Sequence, residues 1–426
     1  MAAAILFGVL ALMLVIGVPV AFALIAASLA TVLFLGLPTA VVVQQTVAGA
    51  GGTSLIAIPL FIFAGELMMR GGISERLIAF AASLVGRTRG GLGQVNVLAS
   101  LFFGGVSGSA IADVSAIGGT MIPQMIKRGF DRDFAVNVSV TAALVALLVP
   151  PSHNLILYSA SAGGSISISD LFAAGIVPAL LLTVVLMFTG WAIARRRGYA
   201  TEPFPGYREV HKRLIASLPG LLLVALIFFG IRAGIFTAVE SAAIAVFYAL
   251  FVTGALYRSL TWRHFRETCL GAVGTTGLIL FVIGAAASFG WLLAYLQIPA
   301  AAVEALTAVA DNKYVVLLLI VVALLVLGTF MDLAPLIIIC TPIFLPVARA
   351  FGIDPVHFGI ILILNAGIGL ITPPVGSVLF IGAAIGGISV TQTLRTIWPF
   401  YFASLMVLLL VTFIPALSLW LPAMLR

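Results

Sequence analysis

The chain has 426 residues, 62% of them hydrophobic and only 8% charged, a composition that excludes a soluble globular domain and implies lipid as the solvent. Its 21 Lys and Arg against 14 Asp and Glu give a formal net charge of +7. In a soluble protein that surplus would suggest nucleic acid; here the basic residues sit in short loops between apolar runs, so membrane topology explains them and no nucleic-acid partner is expected.

Apolar stretches long enough to cross about 30 Å of hydrocarbon recur along the sequence. The first opens at Ala2 with no basic segment before it and runs from Ile5 past Leu35, which reads as retained membrane helices and not as a cleaved signal peptide. In chain order the first half predicts helices near 2–16, 19–36 and 55–70, a hairpin over 91–127, a helix over 134–162 interrupted at Pro150, and a helix over 171–194. A polar linker, RRRGYATEPFPGYREVHKR, follows at 195–213. The second half predicts helices near 214–231, 237–256 and 268–297, a hairpin over 314–348, a helix interrupted at Pro373, and a last helix from 397. Two amphipathic pieces, 74–86 and 259–267, read as helices lying in the interface. The two cysteines, Cys269 and Cys340, sit in apolar runs and read as small buried side chains, not a disulfide.

The linker lies near the midpoint of the chain, and the halves correspond. Shifting the sequence by 223 positions puts Pro123 on Pro346, Gly129 on Gly352, Asp131 on Asp354, Pro150 and Pro151 on Pro373 and Pro374, and Gly163 and Gly164 on Gly386 and Gly387. An internal repeat in a membrane chain points to a transporter whose halves enclose a central site. Starting Met1 outside and tracing the helices places 17 of the 21 basic residues on the cytoplasmic side, leaving Arg232, Lys313, Arg349 and Arg426 outside. The second half then repeats the first upside down. The expected architecture is an all-α polytopic membrane protein with an inverted repeat, two re-entrant hairpins and two interrupted helices. Its first repeat covers 1–194, the linker 195–213 and the second repeat 214–426. Within the repeats, scaffold helices occupy about 1–52 and 214–267, and transport elements about 53–194 and 268–426.

Broken backbone at membrane depth is tolerated only where it is buried in protein or lines a cavity, because lipid cannot satisfy the freed N–H and C=O groups. Four breaks occur: GGVSGSAIAD at 104–113, VPPSHN at 149–154, GTFMDLAP at 328–335 and ITPPVG at 371–376. The offset maps each onto its partner. A hairpin tip facing an interrupted helix supplies the neutral oxygens that a dehydrated sodium ion needs. One sodium site is therefore expected at Ser107, Gly108, Ser109, Pro150 and Ser152. A second is expected at Gly328, Thr329, Asp332, Thr372, Pro373, Val375 and Gly376. Half-helix N-termini can hold a substrate carboxylate without an embedded Arg, which assigns substrate contact to Ser107, Ser109, Thr329, Thr372 and Pro374. Each reading has a structural counterpart: a Pro pair as a kink, GGVSGS as a close-packing face, Asp113 as a brace or cap of its hairpin, His153 as a proton relay or a mere helix-break residue. Glu240, in T-A-V-E, reads as a capping box, and Glu66 reads as snorkelling or as pairing with Arg70 one turn on, with no transport role.

These residues resemble the large membrane subunit of tripartite ATP-independent periplasmic (TRAP) transporters over essentially the whole chain. The resemblance rests on FFGGVSGSAIADVSAIG at 102–118, GIFTAVESAAIAVFYAL at 234–250 and GLITPPVGSVLF at 369–380. It implies an elevator mechanism, in which a transport domain carries sodium and a carboxylate substrate past a fixed scaffold. It also implies two partners, a small membrane subunit and a periplasmic substrate-binding protein, with sodium as coupling ion and no other cofactor. The chain starts at the first large-subunit helix, so a separate small subunit is expected. Many relatives carry a Pro two positions before the Glu of GIFTAVE; this sequence does not, and the position belongs to a cap. A binding-protein-independent sodium/dicarboxylate symporter is the alternative. An intramembrane enzyme is disfavoured because no HExxH-type motif and no nucleophile with a base occur, and a channel because the breaks are dead ends.

Overall fold

In a computed structural model, residues 1–201, 203, 205–309 and 312–425 are described, and every regular element among them is helical. Glu202 and Phe204 of the expected linker, and Arg426, expected outside, lie outside the described residues. In chain order the helices are α1 (Ala2–Val15), α2 (Val20–Phe34), α3 (Ala40–Ala50), α4 (Ala57–Arg70), α5 (Ile73–Val85), α6 (Gly91–Ser107), α7 (Ala110–Asp113) and α8 (Gly119–Lys127). There follow α9 (Arg132–Ala142), α10 (His153–Ser161), α11 (Ile168–Arg197), α12 (Tyr207–Arg232), α13 (Ala238–Leu250), α14 (Trp262–Tyr295) and α15 (Ile298–Val309). The last seven are α16 (Lys313–Phe330), α17 (Leu333–Ala350), α18 (Pro355–Gly369), α19 (Ser377–Gly386), α20 (Val390–Thr396), α21 (Trp398–Phe413) and α22 (Ala416–Met424). Among the described residues six helices are long and apolar enough to span a bilayer, and three bent pairs pass the same test together, so the chain crosses the membrane many times.

At the positions of the expected hairpins and interrupted helices, consecutive helices meet at short breaks. Hairpin 1 is α6 followed by α7, which runs through a π-helical stretch, Val114–Gly118, into α8; hairpin 2 is α16 and α17. Between α9 and α10 the backbone breaks at a cis Pro150–Pro151 bond, and between α18 and α19 at a cis Pro373–Pro374 bond. Helix bounds recur at the 223 offset: Ser107 onto Phe330, Ala110 onto Leu333, Lys127 onto Ala350, and Arg132 onto Pro355.

Several bounds differ from the sequence expectation. The linker is shorter than 195–213, because α11 runs to Arg197 and α12 starts at Tyr207. Three arginines in the last turn suit the negative end of α11 before Gly198 (φ +73°) ends it, and an Arg213–Glu209 pair at 2.7 Å, one turn apart, extends α12 backwards. The 259–267 piece is not a separate interfacial helix. Thr261 caps the backbone N–H of His264, and with no breaker after Glu267 the helix continues for 34 residues as α14. At about 1.5 Å per residue, α14 outreaches the hydrocarbon core. By contrast 74–86 does form its own helix, α5, bent 67° from α4. Helices α3, α15 and α20 went unpredicted.

Long helices are clamped at both ends. Arg232 pairs with Asp170 at 3.1 Å, tying the end of α12 to the start of α11. At the other end of α11, Arg197 pairs with Asp131 at 2.9 Å and Asp133 at 2.8 Å, while Tyr199 donates to Asp131 at 2.6 Å. Burial raises the Asp133 carboxyl, but hydrogen bonds from Arg197, Thr396 and the Phe134 backbone, with the Arg197 charge, together outweigh it and hold the group below the ordinary carboxylate range. The Tyr199 phenol is pushed up to about 12 by burial and by its bond to Asp131. Thr237 and Glu240 form the expected capping box at the start of α13. Both cysteines are free, with Cys340 buried and Cys269 half-buried.

Candidate functional site

The tip of hairpin 1 meets the first helix break backbone to backbone. α6 ends at Ser107, and Gly108 turns the chain at φ +59°, its N–H donating to Gly104 at 2.8 Å. A Cβ at Gly108 would lie 3.1 Å from the Pro151 carbonyl oxygen and from the Ser152 Cα, so both the left-handed φ and the close approach require glycine. Asn154, in the first turn of α10, donates its Nδ2 to the Gly108 carbonyl at 2.8 Å. Ser109 caps α7, its Oγ accepting from Ala112 N–H at 3.3 Å and its own N–H donating to Ser107 Oγ at 3.4 Å. The Pro150 carbonyl faces α6, 3.0 Å from where a Cβ on Gly105 would stand. Ser152 is fully buried and its hydroxyl is committed to the Leu147 carbonyl at 2.8 Å. The His153 backbone nitrogen lies 3.3 Å from the same Cβ position on Gly108. Ser107, Gly108, Ser109, Pro150 and Ser152 are thus brought into one cluster.

Hairpin 2 meets the second break in the same manner. Val375 N–H donates to the Thr329 carbonyl at 3.0 Å, and Gly328 lies so close to Gly369 that a Cβ on Gly369 would stand 2.6 Å from the Gly328 oxygen. Asp332 accepts from the Ser377 hydroxyl at 2.8 Å, in the first turn of α19. The Thr372 hydroxyl donates to Ile368 at 2.7 Å and accepts from Tyr401 at 2.8 Å, while that of Thr329 turns back to Val326 at 2.7 Å. Gly376 carries φ +36° beside the Thr372 carbonyl, after the Pro373–Pro374 bond. The seven residues expected at this tip come together as well.

Both tips open onto one cavity of about 680 Å³. Its lining includes Ser107, Ser109, Ser115, His153 and Asn154 from the first half and Asp332 and Pro335 from the second. Of the expected substrate residues, Ser107 and Ser109 line it, whereas Thr329, Thr372 and Pro374 do not. The cavity extends along α4 and α14 to Met69 and Arg70 and to Pro19–Phe22 at the start of α2, the side that the basic residues mark as cytoplasmic. Arg70 pairs there with Glu66 at 3.6 Å, as its one-turn spacing predicts, and with Glu267 of α14 at 3.1 Å. Among the described residues no group of three or more His, Cys, Asp and Glu side chains comes together.

Asn154, Ser377, Gly369 and Tyr401 were missed by sequence reasoning. Asn154 and Ser377 differ by 223, and each ties a hairpin tip to the half-helix beside it, so the repeat offset carried the signal for both. Gly369 and Tyr401 act through tertiary contacts that no spacing announces.

The family model described as "Tripartite ATP-independent periplasmic transporter, DctM component" matches residues 7–417. The sialic acid TRAP transporter large permease protein SiaM of Vibrio cholerae is 39% identical over 98% of this chain and 97% of its own length. The 2,3-diketo-L-gulonate TRAP transporter large permease protein YiaN of Escherichia coli is 35% identical over 98% of each chain. Among solved structures, the YdaH transporter of Alcanivorax borkumensis superposes with a TM-score of 0.61 at 16% identity, covering 87% of this chain and 86% of that one, a likeness of fold alone. Full-length agreement in sequence, many apolar helices and a shared transporter fold converge: this chain belongs to the DctM component family of tripartite ATP-independent periplasmic transporters, a family of permeases, and is a multi-pass protein of the bacterial inner membrane.

Proposed function

We propose that this chain is the translocating subunit of a sodium-coupled importer for a carboxylate-bearing organic acid. A periplasmic binding protein delivers the acid, and a small membrane subunit completes the complex. The observation that carries the reading is the single cavity onto which both hairpin tips open, each tip seated on a broken helix. Ser107, Gly108, Ser109, Pro150 and Ser152 hold one sodium ion, and Gly328, Thr329, Asp332, Thr372, Pro373, Val375 and Gly376 a second, chiefly through backbone carbonyls. The N-terminal ends of α7 and α10, with Ser107, Ser109 and Asn154, take the carboxylate. The names of SiaM and YiaN specify acids for those proteins, which supports an organic acid here. Hairpins and broken helices move together as one body against the remaining helices, an elevator.

Uptake into proteoliposomes with both partners, with and without an inward sodium gradient, tests this. Uptake is expected only with the gradient and the binding protein; sodium-independent uptake removes the coupling, and uptake without the binding protein favours a self-sufficient symporter. Asp332→Ala with Thr372→Ala is expected to weaken sodium dependence, and an unaltered sodium response removes the second site.

A further inference from the structure

We propose that hairpin 1 encloses a third sodium site, between Asp113 of α7 and Asn96 of α6, separate from the two at the hairpin tips; its coupling role rests on the sodium-driven reading above. Asp113 is 1% exposed. Its Oδ2 accepts from Ser100 at 2.7 Å, and its Oδ1 has no partner among the described residues. Asn96, fully buried, donates its Nδ2 to Ser139 Oγ. The Ser139 hydroxyl hydrogen is committed to the Ala135 carbonyl at 2.7 Å, so Ser139 must accept from Asn96. That fixes the amide with its Oδ1 turned away, and this oxygen too is without a partner. Asn96 and Ser100 lie one turn apart on the same face of α6, toward α7 and α9.

Two buried acceptors, one of them a carboxylate oxygen, therefore stand beside hydroxyls whose hydrogens are already placed. What the interface lacks is positive charge, since a lone buried carboxylate with a single hydrogen bond is costly. Carboxylate, amide and hydroxyl oxygens around one negative charge form a donor set for a hard monovalent cation. The second half makes the case independently. At the 223 offset, Asn96, Ser100, Asp113 and Ser139 become Leu319, Ala323, Leu336 and Leu362, with Leu336 and Leu362 fully buried. The same fold position accepts hydrocarbon, so packing does not demand the polar set of the first half. The π-helical stretch Val114–Gly118 begins directly after Asp113 and widens the helix there. An ion at this position fastens one arm of hairpin 1 to the other, so its arrival and departure are linked to the opening of the hairpin.

Thermal unfolding of the full chain in detergent micelles, titrated with NaCl against choline chloride at constant ionic strength, tests the site. The slope of stabilisation against the logarithm of sodium concentration counts the ions that the folded state holds. Three are expected for the native sequence and two for Asp113→Asn. Two are also expected for the variant combining N96L, S100A and D113L, which copies the second half and reads the same count if Asp113→Asn does not fold. An unchanged count in a folded variant overturns the site while leaving the tip sites intact. A loss that follows pH and not sodium also overturns it, assigning Asp113 a proton. A native slope of zero instead removes sodium coupling altogether, and with it the reading on which this site rests.

Discussion

Replacing Gly369 by Ala tests whether hairpin 2 must sit on its broken helix for sodium to bind. The new methyl would stand 2.6 Å from the Gly328 oxygen, 2.7 Å from its carbonyl carbon and 2.8 Å from its Cα. All three are backbone atoms, so no side chain can swing away. Restoring ordinary van der Waals contact requires the tip and α18 to part by roughly 0.8 Å, an overpacking that costs about 1–3 kcal/mol. The Val375–Thr329 hydrogen bond at 3.0 Å and the Asp332–Ser377 bond at 2.8 Å span the same junction and are stretched with it. If the cost falls on the closed, ion-bound arrangement, the sodium concentration for half-maximal uptake rises about 5- to 150-fold. Gly277→Ala is the control: no heavy atom lies within 4 Å of a Cβ there, and the sodium response should not move. Sodium titration of proteoliposome uptake decides. A folded Gly369→Ala protein with a half-maximal concentration within about twofold of native refutes the claim that this contact shapes a sodium site.

Asn154→Leu removes the donor to the Gly108 carbonyl and leaves that oxygen buried and unpaired, so the unfolding temperature should fall by the equivalent of about 1–3 kcal/mol; an unchanged melt argues against the contact. Tyr199→Phe deletes the bond to Asp131, at a cost of about 0.5–1.5 kcal/mol near neutrality. Because folding raises the Tyr199 phenol to about 12, its contribution is complete below the unfolded value of about 10 and is lost as pH climbs toward 12. Native protein melted across that range should lose stability that Tyr199→Phe does not. For Asp133 the sign is opposite: folding lowers its carboxyl, so its contribution is present above the unfolded value of about 3.9 and fades as pH drops below it. Thr237→Ala dismantles the capping box and should cost about 1 kcal/mol in a thermal melt while leaving the sodium response intact, which separates Glu240 from transport.

What the sequence disclosed follows from where covalent backbone constraints act. Proline and glycine restrict or free the chain wherever they stand, so the Pro pairs and the GGVSGS run marked the breaks, and their common offset marked the correspondence of the halves. Helix α3 was hidden because Gln44, Gln45 and Thr46 interrupt its apolar run and glycines at 49, 51 and 52 imitate a loop, yet Thr46 bonds back to Val42 at 2.7 Å and the helix packs on α14. In α15 the Pro299 that looks like a breaker occupies the first turn, where its missing N–H costs nothing. Contacts such as Tyr401 with Thr372, or Glu267 with Arg70, join residues far apart in sequence, and no local pattern encodes them. For Asp113 the sequence offered a brace or a cap of its hairpin; the structure places Ser100 of the opposite arm on it.

The charges around the cavity give the proposed coupling a physical basis. A carboxylate site was expected to do without Arg or Lys at midplane, and the cation that does line the cavity, Arg70, stands at the end of α4, held by Glu66 and Glu267. Arg70, Glu66 and Asp332 together give the lining a formal charge of −1. A carboxylate entering alone raises that to −2 in a space walled largely by hydrocarbon, where charge repulsion is weakly screened. Half-helix termini offset part of this, each acting as roughly half a positive charge. On the proposed sodium-coupled reading, one cation held at each tip would offset the rest. Anion and cations then stabilise each other's binding, so a tip loosened by Gly369→Ala should weaken substrate affinity as well as sodium affinity. Reciprocity of linkage requires sodium to tighten substrate binding by the same free energy as substrate tightens sodium binding, so the mutation must lower both sides of that coupling equally.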